Sequence, residues 1–442
     1  MTGVTVGMLL AEGGEKCVIV EKEPDPGGLC RTFELDGIKF DLGPHLFFYD
    51  PAGDAEQLMM QALGDEKLVK KRFRYAVLAG NRYYEFPVTP SVLLSYPWKY
   101  KKEIIAGFFA KTVLRRRGAK PDPSVESLLA EKSGRSYYNE VLAGMFRKKA
   151  GVAGTELHRD WAVRVDRDVR NRKEPFKELT AGQIAAKIGR SLFTPARYYY
   201  PEAGYARLTQ RMLDRFKAAG GEIVLDCGDV SIEKDADKIT SCRVGERRME
   251  VKNLIWTGSV NELNEKLEIK APHLEYMGVA IIMLTYDKAA CPPGEHKNYA
   301  YVYFSEDDSS FVRMYQPDSV FNREGSPNEG VCLEVSVGKS MSREEMDALI
   351  RKTVDDLDRL GLFRKSGLRK EKISMFLPDG MPIYGLDYEA RMEQAFSGLR
   401  RFTNIYSVGR TGGYYFCLSP SAVSQGMKAA ASILNKRHTV PA

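Results

Sequence analysis

The sequence predicts an α/β fold: a parallel-sheet domain assembled from both ends of the chain, with a helical stretch and an antiparallel sheet between them. Three observations predict it. A glycine, a helical apolar pattern, a β-branched strand and an acid follow one another from Gly3 to Glu21. The paired glycines Gly27 and Gly28 and the cation Arg31 come directly after. Near the other end, Asn404 to Leu434 reads as strand, glycine-rich turn and helix. At 442 residues the chain exceeds one ordinary core, so two or three domains are expected.

Taken in order, Val4, Val6, Met8, Leu9 and Leu10 form the first helical pattern. Cys17-Val18-Ile19-Val20 is the apolar run that a buried parallel strand requires. Glycine, helix, strand and acid make the second half of a dinucleotide-binding unit, in which Glu21 takes a ribose hydroxyl. Paired glycines let backbone press close to a ligand, and Arg31 can face a phosphate or a ring carbonyl. Phe40-Asp41-Leu42-Gly43-Pro44-His45 closes this unit. A helix is predicted through Ala55, Leu58, Met59 and Leu63, then a hairpin over 74–87 turned by Gly80-Asn81. Residues 91–200 read as mostly helical. Ser91 to Lys120 holds eight Lys/Arg against Glu103 alone. It is either a helix lying on an anionic membrane surface or an ordinary amphipathic helix with a solvated basic face.

Tyr200-Pro201-Glu202-Ala203-Gly204-Tyr205 precedes a helix from Leu208 to Ala218. Strands are predicted at Glu222 to Leu225, at Asp229 to Ile232, within Lys238 to Val251 and at Asn253 to Thr257. Aromatic-rich strands at 279–286, 299–304, 310–315 and 330–337 suggest an antiparallel sheet, followed by a helix from Glu344 to Leu360. Arg313 and Tyr315 share one strand face. Arg313 is either an anion-binding residue or half of a cross-strand ion pair. At the end, Ser419 and Pro420 read as N-cap and N1 of a helix running through Val423, Met427 and Leu434.

The elements E-K-x-x-x-x-G-G-x-x-R-T (Glu21 to Thr32) and D-x-G-P-H (Asp41 to His45) resemble the large FAD-dependent family of amine oxidases, protoporphyrinogen oxidase, phytoene desaturase and UDP-galactopyranose mutase. The likeness spans nearly the whole chain and is strongest at 16–49, 198–233 and 376–432. It implies FAD as cofactor. The binding positions it implies are Gly3, Glu21, Lys22, Gly27, Gly28, Leu29, Arg31, Gly43, Pro44, His45, Val230, Gly409, Arg410 and Gly412. Val230 would meet the adenine side through its backbone. The last helix would aim its N-terminus at the flavin edge that gains charge on reduction. His45 stands either near the flavin ring or satisfied by loop backbone. Tyr200, Arg313, Tyr315 and Tyr384 are the substrate-side candidates, Tyr384 from Met381-Pro382-Ile383-Tyr384. The resemblance implies an FAD domain built from 1–70, 201–272 and 396–442, a helical subdomain over 71–200 and a substrate sheet over 273–395.

Met1-Thr2-Gly3 supplies only the last glycine of the usual G-x-G-x-x-G. The expectation is that Met1 is internal to a longer natural chain; the alternative is a remnant that no longer holds FAD. The predicted function is oxidation of a small or mid-sized organic substrate, with hydride passing to flavin N5 and oxygen or another acceptor reoxidising it. The rival is a mutase-like isomerase. Against that rival, Phe416-Cys417-Leu418-Ser419-Pro420 replaces the acid and amide residues usual after the glycine turn of the mutase branch. The net charge of +7 is scattered and no nucleic-acid motif accompanies it. Seven cysteines without a C-x-x-C pair argue against a zinc site or disulfide framework and for a reducing compartment. No signal peptide or apolar run of ~18 residues is read, so a cytoplasmic protein is expected.

Overall fold

The structure, a computed structural model, describes residues 1–43, 45, 47–48, 53–71, 74–86, 88–113, 122–163, 198–321 and 326–438. The chain opens with helix α1 (Thr2–Glu12) and strand β1 (Val18–Val20). Strands β2 (Thr32–Leu35) and β3 (Ile38–Asp41) form a hairpin turned by Asp36 and Gly37, both at positive φ, as a two-residue Asp-Gly turn demands. Strand β4 (Phe47–Phe48), helix α2 (Asp54–Leu63) and strand β5 (Leu68–Lys71) lead to the predicted hairpin, β6 (Tyr75–Ala79) and β7 (Arg82–Phe86).

Helices α3 (Pro90–Ser95), α4 (Trp98–Val113), α5 (Val125–Ser133), α6 (Arg135–Tyr137), α7 (Ala143–Ala150) and α8 (Arg159–Val163) follow, with a π-helical turn at Tyr138–Leu142. Of the basic stretch from Ser91, residues 114–120 lie outside the described residues. At its start Leu94 and Trp98 are 76% and 72% exposed.

Next come β8 (Tyr198–Pro201), α9 (Ala206–Ala218) and β9 (Glu222–Val224). A meander of β10 (Val230–Asp235), β11 (Lys238–Val244) and β12 (Arg247–Glu250) leads to β13 (Leu254–Trp256) and α10 (Val260–Lys266). The remaining elements are β14 (Tyr276–Asp287), β15 (Tyr301–Phe304), β16 (Arg313–Tyr315), α11 (Pro317–Phe321), β17 (Asn328–Val337), α12 (Arg343–Arg359), β18 (Leu368–Pro382), α13 (Tyr388–Ser397), β19 (Ile405–Ser407), α14 (Gly409–Gly412) and α15 (Ser419–His438). Helix α15 takes Ser419 as its first residue, and the Leu418 carbonyl accepts from the Ala422 N–H. Its start is therefore one residue earlier than the serine-cap reading.

The fold is α/β, as predicted. Two parallel pairs, β1–β9 and β13–β19, lie in the segments that the sequence reading assigned to the dinucleotide-binding domain. Among the described residues no ladder joins them. Helices α1 and α15 bridge both pairs through one apolar cluster: Val6, Leu10, Ala429, Ala430 and Ile433, packed with Cys17, Ile255 and Tyr406. The two helices approach closely because Gly426 has no side chain; a Cβ there would stand 2.7 Å from Thr5 Cβ. On the other side of α1, α9 buries Leu208, Met212 and Phe216, one face at a spacing of four. Each such side chain contributes roughly 1.5–3 kcal/mol.

The seven-stranded sheet runs β18-β14-β17-β16-β15-β6-β7. It is antiparallel, as expected, except where β15 pairs β6 in parallel. The hairpin β6–β7 thus joins a sheet that the sequence reading drew from 273–395 alone. Residues 273–395 also hold β18 and α13, for which no strand or helix was predicted.

Candidate functional site

On the cofactor side, β1 ends at Val20 and Glu21 is half-buried, its carboxylate accepting the Glu23 N–H at 3.1 Å. Lys22 beside it is exposed. Gly27 and Gly28 sit at φ +124° and +57°, backbone that side-chain-bearing residues rarely adopt. Arg31 is buried and stitches this loop together. It donates to the Gly28 carbonyl at 3.3 Å and the Asp25 carbonyl at 3.4 Å, and it pairs with Glu23. Its guanidinium lies over Phe33.

The start of α1, the glycine turn and the start of α15 meet at one place. Thr2 Oγ1 donates to the Ala422 carbonyl at 3.0 Å. Gly409, at φ +89°, donates its N–H to Gln425 Oε1 at 2.9 Å. A Cβ on Gly3 would touch Thr257, and one on Gly412 would stand 2.6 Å from the Trp256 carbonyl. Arg410 donates to the Cys417 carbonyl at 2.7 Å and lies over the Phe416 ring. Val230 is elsewhere, half-buried in a cluster with Leu254 and Trp256. Pro44 lies outside the described residues.

These residues fit an anionic, hydrogen-bonding cofactor. Two helices of 11 and 20 residues begin here, where N–H groups and the helix dipole favour negative charge. The buried Gln425 Nε2, beside Gly409, has no partner among the described residues. Gln425 carries no motif signal in the sequence.

The tyrosines expected on the substrate side gather around a residue that the sequence reading quoted in the D-x-G-P-H element without giving it a role. Asp41 has no exposed surface. Its carboxylate accepts from Thr32 Oγ1, from the Tyr200 hydroxyl and from the Tyr205 N–H, the last at 3.1 Å to both oxygens. Its N–H donates to the Tyr315 hydroxyl at 2.9 Å. Burial pushes its carboxyl up to about 6, against the pull of these donors. Tyr200 and Tyr315, predicted on the substrate side, thus have their hydroxyls engaged by Asp41. Tyr384 is similarly engaged: it accepts the Phe416 N–H at 2.8 Å and donates to the Tyr414 carbonyl, bracing the turn before α15.

His45 makes the loop-backbone contact that was one of its two readings. Its Nε2 lies 2.7 Å from the Leu29 carbonyl and its ring packs on Tyr205. Burial, then the charges of Arg410 and Arg313, push its pKa down to about 4, so it is neutral at pH 7 with its proton on Nε2. His45 also stands within electrostatic reach of both arginines.

Arg313 forms the cross-strand ion pair. It opposes Glu334 on β17, and the two side chains hydrogen-bond directly. Burial alone would raise the Glu334 carboxyl; Arg313 overrides this and holds it below the usual range. A Cβ on Gly43 would stand 2.6 Å from Glu334 Oε1 and 2.8 Å from Arg313 Nη2. The D-x-G-P-H loop therefore lies directly on this pair, and only glycine fits. The two side chains keep 17% and 16% exposure, so the pair is not sealed off. Arg313 also lies over the Tyr301 and Tyr303 rings.

Next to it, Trp161 stacks on Phe416 with centroids 5.2 Å apart. Lys149 Nζ stands 5.6 Å from the Trp161 centroid, 5.4 Å from Phe416 and 5.3 Å from Tyr303. Trp161 is held in place by its indole N–H, which donates to the Pro382 carbonyl at 2.9 Å. Lys149 and this aromatic box were not singled out from the sequence.

The family described as flavin containing amine oxidoreductase matches residues 1–434. No curated protein matches the chain. Among solved structures, reduced UDP-galactopyranose mutase aligns with a TM-score of 0.74 at 19% identity, over 98% of this chain and 92% of that one. A provisionally named protoporphyrinogen oxidase from Exiguobacterium sp. 255-15 aligns with a TM-score of 0.73 at 16% identity, over 98% and 97%. Putrescine oxidase bound to putrescine gives 0.60 at 14% identity, over 98% and 97%. At these identities the likeness is one of fold.

Proposed function

Because the chain belongs to the flavin containing amine oxidoreductase family, with FAD as its cofactor, we propose that it oxidises an organic substrate held against the seven-stranded sheet at the unsealed Arg313–Glu334 pair. FAD, when bound, accepts a hydride at N5. The single observation that carries the reading is the meeting of the α1 start, the Gly409–Gly412 turn and the α15 start beside the unsealed Arg313–Glu334 pair.

The chain's own groups then have separable roles. The first turns of α15, with Gln425 Nε2, offer donors to the cofactor edge that gains negative charge on reduction. Gly27 and Gly28 let the loop after β1 approach the cofactor without side chains in the way. Neutral His45, held by Leu29, closes the site without adding a charge. Tyr301, Tyr303, Trp161 and Phe416 form an apolar wall that excludes water from the reacting face.

The test is anaerobic reduction. The purified protein should show visible flavin bands, and the right organic substrate should bleach them without added reductant. Protein that holds no flavin when supplied with excess FAD would overturn the reading. Interconversion of a nucleotide sugar by the pre-reduced protein, with no net oxidation, would replace it with an isomerase.

A further inference from the structure

We propose that the junction of α3 and α4 is a docking surface for an anionic lipid bilayer. Leu94, Trp98 and Ile105 enter the bilayer interface, and a fringe of lysines meets the headgroups. The proposal goes beyond the oxidation reading and does not depend on the flavin.

Among the described residues eight large apolar side chains are exposed, and four of them, Val88, Leu94, Trp98 and Ile105, fall between 88 and 105. Leu94 and Trp98 are the most exposed of the eight, at 76% and 72%. A single exposed apolar residue needs no explanation, but a cluster does. The packing of α4 presents this one. Successive helical residues turn by about 100°, so Trp98, Lys102, Ile105 and Ala106 share one face, and all four are exposed. The opposite face is fixed inward. Tyr100 is buried and donates to Glu140 at 2.9 Å. Glu103 accepts the Ser136 N–H at 2.9 Å and the Ser136 hydroxyl at 2.6 Å. A Cβ on Gly107 would stand 2.8 Å from the Glu131 carbonyl of α5. At the other end, Lys101 Nζ donates to the Leu94 carbonyl at 2.6 Å and Arg82 donates to the Ser95 carbonyl. The last turn of α3 is thereby held beside the first turn of α4, with the Leu94 side chain outward.

The charges name the occupant. By helix phase Lys99 and Lys101 fall on either side of the exposed face, and Lys102 lies within it. With Arg82 these cations stand against Glu103 and Glu140. Glu103 is turned inward onto Ser136, and Glu140 is engaged by Lys99 and Tyr100. Arg82 and Lys101 donate to carbonyls, which accept a hydrogen bond without cancelling a charge. Helix α5, on the inward side, adds Glu131 and Lys132, one of each sign. The patch is therefore apolar at its centre and positive around it. Its complement is a surface that is apolar beneath and anionic above, which is a bilayer carrying acidic lipid. A tryptophan ring suits the level of the headgroups, and lysine stems let the ammonium groups stay in the headgroups as the apolar side chains descend. The contact is with one leaflet: among the described residues no helix is long and apolar enough to cross a membrane.

The test is vesicle flotation of the full chain, supplied with excess FAD. The vesicles are pure phosphatidylcholine, or phosphatidylcholine with about 30% phosphatidylserine. Half-saturation should need about tenfold less lipid on the anionic vesicles, an advantage that salt should erode. Trp98 is the exposed one of three tryptophans, since Trp161 is buried and Trp256 half-buried. Tryptophan emission should therefore shift to the blue on the anionic vesicles, and Trp98→Phe should remove the shift. Leu94→Ser combined with Trp98→Ser should raise the half-saturating lipid about tenfold. Both side chains already stand in water, so the unfolding temperature and flavin content should hold. Lys101→Gln combined with Lys102→Gln should cut the preference for anionic vesicles. Wild-type protein that floats with neither vesicle, or equally with both, would overturn the proposal. So would a Leu94→Ser, Trp98→Ser variant that floats like the wild type. A concentration-dependent dimer that this variant dissolves, without vesicle binding, would overturn it in favour of a second copy of the chain. The wild-type flotation and emission need no substitution, so they decide even where a variant fails to fold. Absence of flavin bands would bear on the oxidation reading alone.

Discussion

Tyr200→Phe separates a substrate-binding tyrosine from one that serves the buried carboxylate. The variant deletes one hydroxyl, the donor to Asp41, and leaves the ring packed against Tyr205 and Phe321. Asp41 ionises near pH 6 in the folded protein, against 3.8 as its ordinary value. The sign follows: the unfolded chain releases this proton first, so the group's contribution to stability is fully present below pH 3.8. It is lost as pH rises through about 6, by about 3 kcal/mol in all. Above that pH the Tyr200 hydroxyl donates to a carboxylate, a bond worth about 1.5–3 kcal/mol, and below it to a neutral acid, worth about 1 kcal/mol. Tyr200→Phe should therefore cost about 2 kcal/mol at pH 8 and about 1 kcal/mol at pH 5, read from urea midpoints by intrinsic fluorescence. Equal losses at the two pH values would refute the Asp41 reasoning. Unchanged stability with a raised KM would return Tyr200 to the substrate.

Gly43→Ala places a methyl against both members of the Arg313–Glu334 pair at a backbone φ of +85°. Left-handed strain alone costs about 1–2 kcal/mol, so a clear fall in thermal midpoint is expected, and an unchanged midpoint would mean the loop does not lie on the pair. Gly412→Ala drives a Cβ to 2.6 Å from the Trp256 carbonyl, a backbone atom that cannot swing away. It should lower the flavin-to-protein ratio after gel filtration, and a full ratio would move the cofactor away from this turn. Cys17, Cys227 and Cys291 are half-buried, whereas Cys30, Cys242, Cys332 and Cys417 are buried, with burial pushing Cys242 up to about 11. A thiol reagent should therefore modify at most three groups in the native protein and the other four only after unfolding.

What could be read in advance was what neighbours in sequence decide. Gly80-Asn81 between two alternating runs became a hairpin, and the helix read from Leu208 to Ala218 became α9. The same chemistry at Asp36-Gly37 also turns a hairpin, a signal present but not used. Strand β18 was hidden for a physical reason. It is an edge strand, and its first half, Arg369-Lys370-Glu371-Lys372, carries the charges that protect an edge from further pairing. Asp41 was hidden by distance along the chain, since the groups that explain it stand 159, 164 and 274 residues away.

Lys149 makes the sharper case, because it ends a run of three cations that composition treats alike. Successive helical residues point about 100° apart, so the run cannot face one way. Arg147 pairs with exposed Asp307. Lys148 donates to Ser309 and to the Glu306 carbonyl, and burial pushes its pKa down to about 8. Lys149 alone turns into the rings of Trp161, Tyr303 and Phe416. A basic helix end reads as a solvated surface until the sheet and the α15 turn are placed against it. Which of the three cations packs against those rings is then fixed by helix phase, not by residue type.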